Sequence, residues 1–408
     1  MPLIKRTSFS SLHLLRPVLL PSSAYSSSPD ISQLTAFRDS IRRWVAKEIT
    51  PNINKWEEDG ILPRYLYKQA ADIGVLAPGF PVEFGGLGND SKDLRANMIV
   101  VEELCRAGSG GLIASLCTLS ISLHPVIALA RPELAKKVAT EVLAGTSVCA
   151  LGITEPGGGS DVANLTTTAR RDGHEYILNG EKTFITSGMQ AEYFTLAVRT
   201  GGPGASGVSL LLVERDTPGF TRTRLDKMGW LCSDTATLHF DNCRVPASNL
   251  LGEENKGFSW VMKNFNGERI FIAGQCVYFS KELIKQASEY AGQRKTFGKR
   301  LIEHQAMRHL IVDMVTKASA AEAYLNTVLE KYSRGEDCVA DISMLKNVCT
   351  ECFHFCANAA VQVMGGSGFI RGHMVERLYR ETKVLEIGGG STEIMKDLAA
   401  KQLGLFNK

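Results

Sequence analysis

The chain has 408 residues, 44% of them hydrophobic and 22% charged, with a formal net charge of +3. That is enough apolar mass for two or three packed domains in an ordinary globular chain, and too little net charge to argue for nucleic acid as a partner. Ten cysteines spread along the whole length make no disulfide scaffold, and a reducing compartment is the simpler expectation.

Residues before Asp30 stand apart. They include Lys5, Arg6, Arg16 and many serines but no acidic residue, the composition of a mitochondrial transit peptide cleaved near residues 24–30. The expected location is the mitochondrial matrix. The apolar stretch Leu12–Leu20 contains His13, Arg16 and Pro17 and makes a poor membrane span. From Ile31 the pattern turns helical: Phe37, Ile41, Trp44, Val45 and Ile49 fall mostly three and four apart, until Pro51. Further helices are expected over Tyr65–Ala77 and Leu94–Ala107, separated by a loop rich in Gly and Pro. Gly108–Ala130 has no formal charge apart from His124 and is long enough to span a bilayer. Ser115, Thr118, Ser120 and Ser122 dilute it and Pro125 breaks it. A buried helix followed by a Pro-started one is expected, without stable membrane insertion.

After Ser147 the period falls to two. His174–Leu178 and Thr183–Ser187 flank Asn179-Gly180 and read as a hairpin. Tyr193–Arg199, Val208–Glu214 and Thr235–Phe240 read as further strands. Gly202-Pro203-Gly204-Ala205-Ser206-Gly207 fits the dinucleotide pattern GxGxxG, but Val208–Val213 after it reads as a strand. The motif needs a helix there, so a hairpin loop is expected. Amphipathic helical runs then cover Phe258–Gln293, Leu301–Arg334 and Cys338–Met364, with short connections that suit an antiparallel bundle.

Two stretches carry the chemistry. In Ile153-Thr154-Glu155-Pro156-Gly157-Gly158-Gly159-Ser160-Asp161, consecutive glycines let the backbone approach a partner closely. Thr154 and Ser160 add hydroxyls. In Lys182–Gly188, Phe184 precedes Thr186 by two residues, giving a flat apolar face with a polar rim, as a planar heteroaromatic ligand requires. Glycine punctuation alone fits a turn between strands equally well.

Thr154–Asp161 resembles the flavin-contacting signature of the acyl-CoA dehydrogenases. The resemblance continues through Phe184-Ile185-Thr186, Arg294–Lys299, Gln362–Gly366 and Ile387–Ile394, in order, over about residues 31–404. It implies an α+β multidomain fold: transit peptide 1–29, N-terminal all-α domain 30–147, central β-barrel domain 148–254 and C-terminal four-helix bundle 255–408. It also implies a non-covalently held FAD between the β domain and the bundle. Further implications are oxidation of an acyl-CoA to a trans-2-enoyl-CoA, electron transfer flavoprotein as acceptor, and a homo-oligomer, most simply a tetramer. By the same resemblance Leu151, Ile153, Thr154, Ser160, Phe184, Ile185 and Thr186 line the flavin. Leu151 and Phe184 stand where the family often has Tyr and Trp. Arg294, Phe297 and Gln305, Gln362 with Gly365 and Gly366, and Ser391, Thr392 and Glu393 match contacts to the rest of FAD. Several of these come from a neighbouring subunit in the family. A guanidinium such as that of Arg294 suits a pyrophosphate.

The expected reaction removes a weakly acidic proton α to a thioester, which needs a carboxylate in a dry site and donors on the thioester oxygen. In most of the family the base is a Glu in the final signature, and here that position is Gly389. Glu268, in Asn266-Gly267-Glu268-Arg269, is the candidate replacement. The isovaleryl-CoA and long-chain branches share both the missing carboxylate and Glu-Arg at this place. Ser160, Asn266, Arg269, Gly388 and the Gly389 backbone are the candidate acyl-CoA contacts, and Gly388 hints at room for a branched chain. Glu381 and Glu386 read as surface or salt-bridge residues. Cys349, Cys352 and Cys356 share a helix face around His354 but have no second ligand pair, so they read as core residues and no metal is expected. Two other readings remain: an acyl-CoA oxidase, disfavoured by length, and a catalytically weak FAD-binding relative acting in assembly.

Overall fold

Eight helices open the described chain: α1 (Ile31–Trp44), α2 (Ile53–Asp59), α3 (Tyr65–Asp72), α4 (Arg95–Cys105), α5 (Gly110–Cys117), α6 (Leu119–Ser122), α7 (His124–Leu129) and α8 (Pro132–Leu143). The computed structural model describes residues 31–88 and 92–406, so the leader lies outside the described residues. A π-helical turn, Val45–Ile49, extends α1 and stops ahead of Pro51, whose ring cannot continue a helix. Gly110–Leu129 is apolar and long enough to cross a membrane, yet it is bent into α5, α6 and α7. Pro125 sits in the first turn of α7, and α6 packs on the first strand of the sheet and on the helix that opens the C-terminal domain.

Eight strands follow: β1 (Cys149–Gly152), β2 (Thr168–Asp172), β3 (Glu175–Thr186), β4 (Tyr193–Arg199), β5 (Val208–Glu214), β6 (Phe220–Arg224), β7 (Thr235–Pro246) and β8 (Leu250–Leu251). They form one open sheet in the order β6-β7-β3-β2-β4-β5-β8, with β1 parallel to β4. The expected barrel is therefore corrected to an open sheet. Closure would require β6 to pair with β8. β8 has only two residues, and β6 carries Arg222 and Arg224, charges that blunt an edge. The two halves of the sheet meet at one β2–β4 register pair, Thr168 with Arg199.

The expected Asn179-Gly180 turn is also corrected. Those residues lie inside the continuous strand β3, where the register against β7 shifts between Leu178 and Gly180. Gly180 is needed for close approach: a Cβ there would lie 2.8 Å from the Cα of Thr167. The hairpin turns earlier, between Asp172 and Glu175. The GxGxxG stretch joins antiparallel β4 and β5 through a short 3₁₀ turn, Ala205–Gly207, and leads into no α-helix.

The C-terminal domain consists of α9 (Gly257–Gln293), a small hairpin of β9 (Lys295–Thr296) and β10 (Lys299–Arg300), α10 (Gln305–Ser333), α11 (Val339–Met364), α12 (Gly366–Phe369), α13 (Met374–Ile387) and α14 (Thr392–Gln402). α11 is central, packing on α9, α10, α13 and α14, and α9 also packs on α4. Phe279 stacks on Phe353 in this core, with ring centroids 5.5 Å apart. Cys349, Cys352 and Cys356 are buried in it, whereas the exposed His354 turns to Glu386, 3.1 Å away.

Candidate active site

The third and fourth turns of α9 project Asn266, Glu268 and Arg269 towards the loop that joins α13 to α14. Arg269 is buried. Its Nε donates to the Gly389 carbonyl at 2.9 Å and its Nη1 to Asn266 Oδ1 at 3.0 Å. Gly389 holds φ +66°, a conformation that favours glycine. A Cβ placed on it would lie 3.8 Å from the Glu268 carboxyl carbon. The Glu268 carboxyl therefore borders the space that a side chain at position 389 would enter. Glu268 Oε2 is sealed from solvent and has no hydrogen-bond partner among the described residues. Burial pushes this carboxyl up to about 7, against the pull of Arg269 and Lys346. The residue as a whole is half-buried, and its shielded Oε2 is an acceptor left without a donor. The Gly389 N–H also has no partner among the described residues.

One turn beyond Glu268, Phe271 reaches a cavity of about 20 Å³ shared with Val75, Leu76, Phe80, Val100 and Leu116, to which Asn97 and Ser120 add polar groups. That volume holds about one water.

The glycine loop is built over a buried ion pair. Lys182, fully enclosed on β3, donates to Glu155 Oε1 at 2.7 Å and to the Ile153 carbonyl at 3.1 Å. Glu155 also accepts from the Thr166 and Thr167 backbone N–H groups and from the Thr166 hydroxyl. Burial alone would raise Glu155, but Lys182 and these donors hold it down to about 2. For Lys182 burial prevails over Glu155 and pushes the ammonium down to about 8. With Glu155 turned inward, Gly157 and Gly158 face open space, where an added Cβ would meet nothing within 4 Å. The Thr183 N–H donates to the Thr154 carbonyl at 2.8 Å and brings Phe184 beside this loop. Phe184 is 69% exposed at φ +60°. An exposed ring on strained backbone next to an open glycine loop fits a planar ring system such as a flavin. Leu151 and Ile153 flank the loop on the β1 side, Ser160 is exposed on it, and Ile185 points into the sheet core.

The other candidate cofactor residues occupy separate segments. Arg294 caps α9, Phe297 is 96% exposed at the hairpin tip, and Gln305 begins α10. Gln362, Gly365 and Gly366 are exposed at the end of α11, and the Tyr290 hydroxyl bonds Ser367 nearby at 3.4 Å. Ser391 caps α14, the Thr392 carbonyl accepts from Asn347, and Glu393 is exposed in the first turn. Gly388, at the end of α13, leaves its Cβ position 3.2 Å from the Val384 carbonyl.

Three features escape sequence reading: the Lys182–Glu155 pair, Lys346, and a carboxyl pair at the junction of the three domains. Glu381 is 1% exposed, which corrects its reading as a surface residue. It accepts from the Gly110 and Trp230 N–H groups, while Glu57 accepts from the Ser109 hydroxyl and the Leu231 N–H. Each carboxyl thus clasps the same two segments. Periodicity holds the signal, because Glu381 falls on the apolar stripe of α13 between Leu378 and Leu385. Burial, then the Glu57 charge, push Glu381 up to about 8. A carboxyl raised on folding contributes stability that is fully present below its unfolded pKa and is lost as pH rises through its folded one. The loss therefore falls between the ordinary carboxyl range and about pH 8. Glu57→Gln removes the like charge and lowers Glu381. Thermal melts from pH 5 to 9 are expected to fall less steeply for the variant than for wild type, and parallel curves would refute the coupling.

The site so built fits a flavoprotein oxidoreductase. The N-terminal, middle and C-terminal domain families of acyl-CoA dehydrogenase match residues 32–146, 150–243 and 255–404. Acyl-CoA dehydrogenase AFT10-1 of Alternaria alternata is 35% identical over 90% of this chain and 90% of its own. The mitochondrial long-chain specific acyl-CoA dehydrogenase of Sus scrofa is 34% identical over 91% of this chain and 86% of its own. The crystal structure of acyl-CoA dehydrogenase from Geobacillus kaustophilus superposes with a TM-score of 0.87 at 36% identity, covering 91% of this chain and 98% of that one. The chain belongs to the acyl-CoA dehydrogenase family, and it is an enzyme whose cofactor is FAD.

Proposed function

We propose that the protein oxidises an acyl-CoA thioester to the trans-2-enoyl-CoA with Glu268 as the base. The observation that carries this reading is the 3.8 Å between the Glu268 carboxyl carbon and the Cβ position of Gly389, where the family's usual base would attach. The base thus comes from α9 instead of the final signature, and meets the same α carbon. Glu268 Oε2 takes the α proton. Arg269 fixes the Gly389 carbonyl, and the Gly389 N–H donates to the thioester oxygen as negative charge develops there. The small cavity beside Phe271, widened by movement of side chains of α4, α5 and the loop after α3, receives the acyl tail. FAD, when bound, supplies the acceptor for the hydride leaving the β carbon. The glycine loop, Phe184 and Thr186 hold its ring system, and Arg294 and Gln305 hold its pyrophosphate end. Gln362–Gly366 of a second copy complete the site, in a homotetramer that passes electrons to electron transfer flavoprotein. The test is anaerobic bleaching of the flavin band by a panel of straight and branched acyl-CoAs. A flavin-loaded protein that no acyl-CoA bleaches would favour the assembly-protein reading.

A mitochondrial matrix location is proposed from the leader composition. Residues 1–40 fused to a fluorescent protein are expected to direct it to mitochondria, and a cytosolic fusion would overturn this.

A further inference from the structure

Lys346 lies on the apolar face of α11, between Ile342 and Cys349, and is 0% exposed. A lysine enclosed to this degree is rare unless its ammonium is matched. Its Nζ donates to the Glu386 carbonyl at 2.9 Å and to the Gly390 carbonyl at 2.6 Å, the two ends of the loop that contains Gly389. Gly389 and Gly390 hold φ of +66° and +107° and offer no side chains by which packing could fix the turn. Its shape is set through backbone carbonyls instead. Those of residues 386 and 390 go to Lys346, that of 389 to Arg269, and that of 392 to Asn347, the neighbour of Lys346 on α11.

The same ammonium acts on the base. Two cations pull on the Glu268 carboxyl, Arg269 first and Lys346 second. The Arg269 guanidinium is already engaged by the Gly389 carbonyl, by Asn266 and by the Phe265 ring at 5.7 Å. The charged and titratable groups that act on Lys346 are Cys276, Glu268 and Arg269 on α9, and Glu386 on α13. Glu386 is itself paired with His354 and Lys383, and burial pushes the Lys346 ammonium down to about 8 against the pull of Cys276 and Glu268.

We propose that Lys346 is a positioning residue whose ammonium, through the carbonyls of residues 386 and 390, holds the loop that sets Gly389 against Glu268. The inference rests on the reading of Glu268 as the base. It requires that removing this charge shift the proton affinity of Glu268 as well as loosen the loop.

The test uses FAD-loaded Lys346→Met, Lys346→Arg and Glu268→Gln beside wild type. Flavin bleaching in a single turnover is followed from pH 5.5 to 9. In Lys346→Met the midpoint of the acid limb is expected to move up by about one pH unit, lowering the rate about 10-fold on the acid side. Infrared titration of the Glu268 carboxyl, as a difference against Glu268→Gln in substrate-free protein, is expected to show the same shift. Lys346→Arg keeps the charge and restores the midpoint to within about 0.3 unit of wild type, whatever it costs in KM. A folded, flavin-bearing Lys346→Met with an unmoved midpoint overturns the proposal. Should Lys346→Met not fold, Lys346→Gln, which keeps a donor and drops the charge, carries the same test. Failure of both to fold overturns it too, by making Lys346 a folding residue. If Glu268→Gln bleaches as wild type does, the base reading fails separately, because the infrared shift of Glu268 stays measurable.

Discussion

Glu268→Gln is expected to slow flavin bleaching about 10²–10⁴-fold, the range set by loss of a positioned general base. The substitution keeps the shape of the side chain and one oxygen, so FAD content and acyl-CoA affinity stay close to wild type. The wild-type rate is expected to rise with pH around 7, where the buried carboxyl ionises, and that limb disappears in the variant. Stability moves the other way. Because folding raises the proton affinity of Glu268, its contribution is present at low pH and is lost as pH climbs through about 7. Above that pH the glutamine variant is expected to melt higher than wild type. Equal bleaching by the two forms would place the base elsewhere and remove the central assignment.

Lys182→Met is expected to destabilise the protein by about 3–5 kcal/mol, the cost of leaving one buried charge without its partner. The methionine fills the same channel, so the loss is electrostatic and not a cavity. Glu155 would keep its Thr166 and Thr167 donors but lose its countercharge, and the Ile153 carbonyl would lose its ammonium. The glycine loop rests on these groups, so the variant is also expected to release FAD on gel filtration. The double variant Lys182→Met/Glu155→Gln removes both charges and is expected to recover part of the stability, as paired replacement of a buried ion pair is often close to neutral. Urea unfolding of the single variant within about 1 kcal/mol of wild type would refute the argument.

Most of the helices and the loops that carry signatures are legible in the sequence because they rest on local rules. Apolar period gives α1, α4, α9, α10 and α11 to within a few residues, and glycine runs mark the cofactor loop. Glu268 and Gly389 are legible as a pair only through the resemblance, since an acid near a helix start and a glycine in a loop are each commonplace. What escapes is lateral. Asn179-Gly180 serves a turn or a bulge equally well, and only the approach of Thr167 decides between them. Sheet closure depends on whether β6 and β8 meet, and the edge charges of β6 and the shortness of β8 gain that meaning only once the strand order is known. Glu381 and Lys346 sit on apolar stripes of α13 and α11, where a charge reads as an interruption. The groups that match them come from segments more than thirty residues away in the chain.

On the proposed reading, with Glu268 as the base, the proton acceptor rides on α9 and the thioester donor on the loop between α13 and α14, so two separately encoded stretches divide the work that one signature does in most of the family. The two stretches meet through Arg269, which holds the Gly389 carbonyl from α9. A change at Gly388 leaves the α9 carboxyl in its helix, whereas a change at Arg269 would disturb both. This arrangement lends itself to diversification, because a lineage can retune which thioesters it accepts while the step that commits them to oxidation is inherited intact.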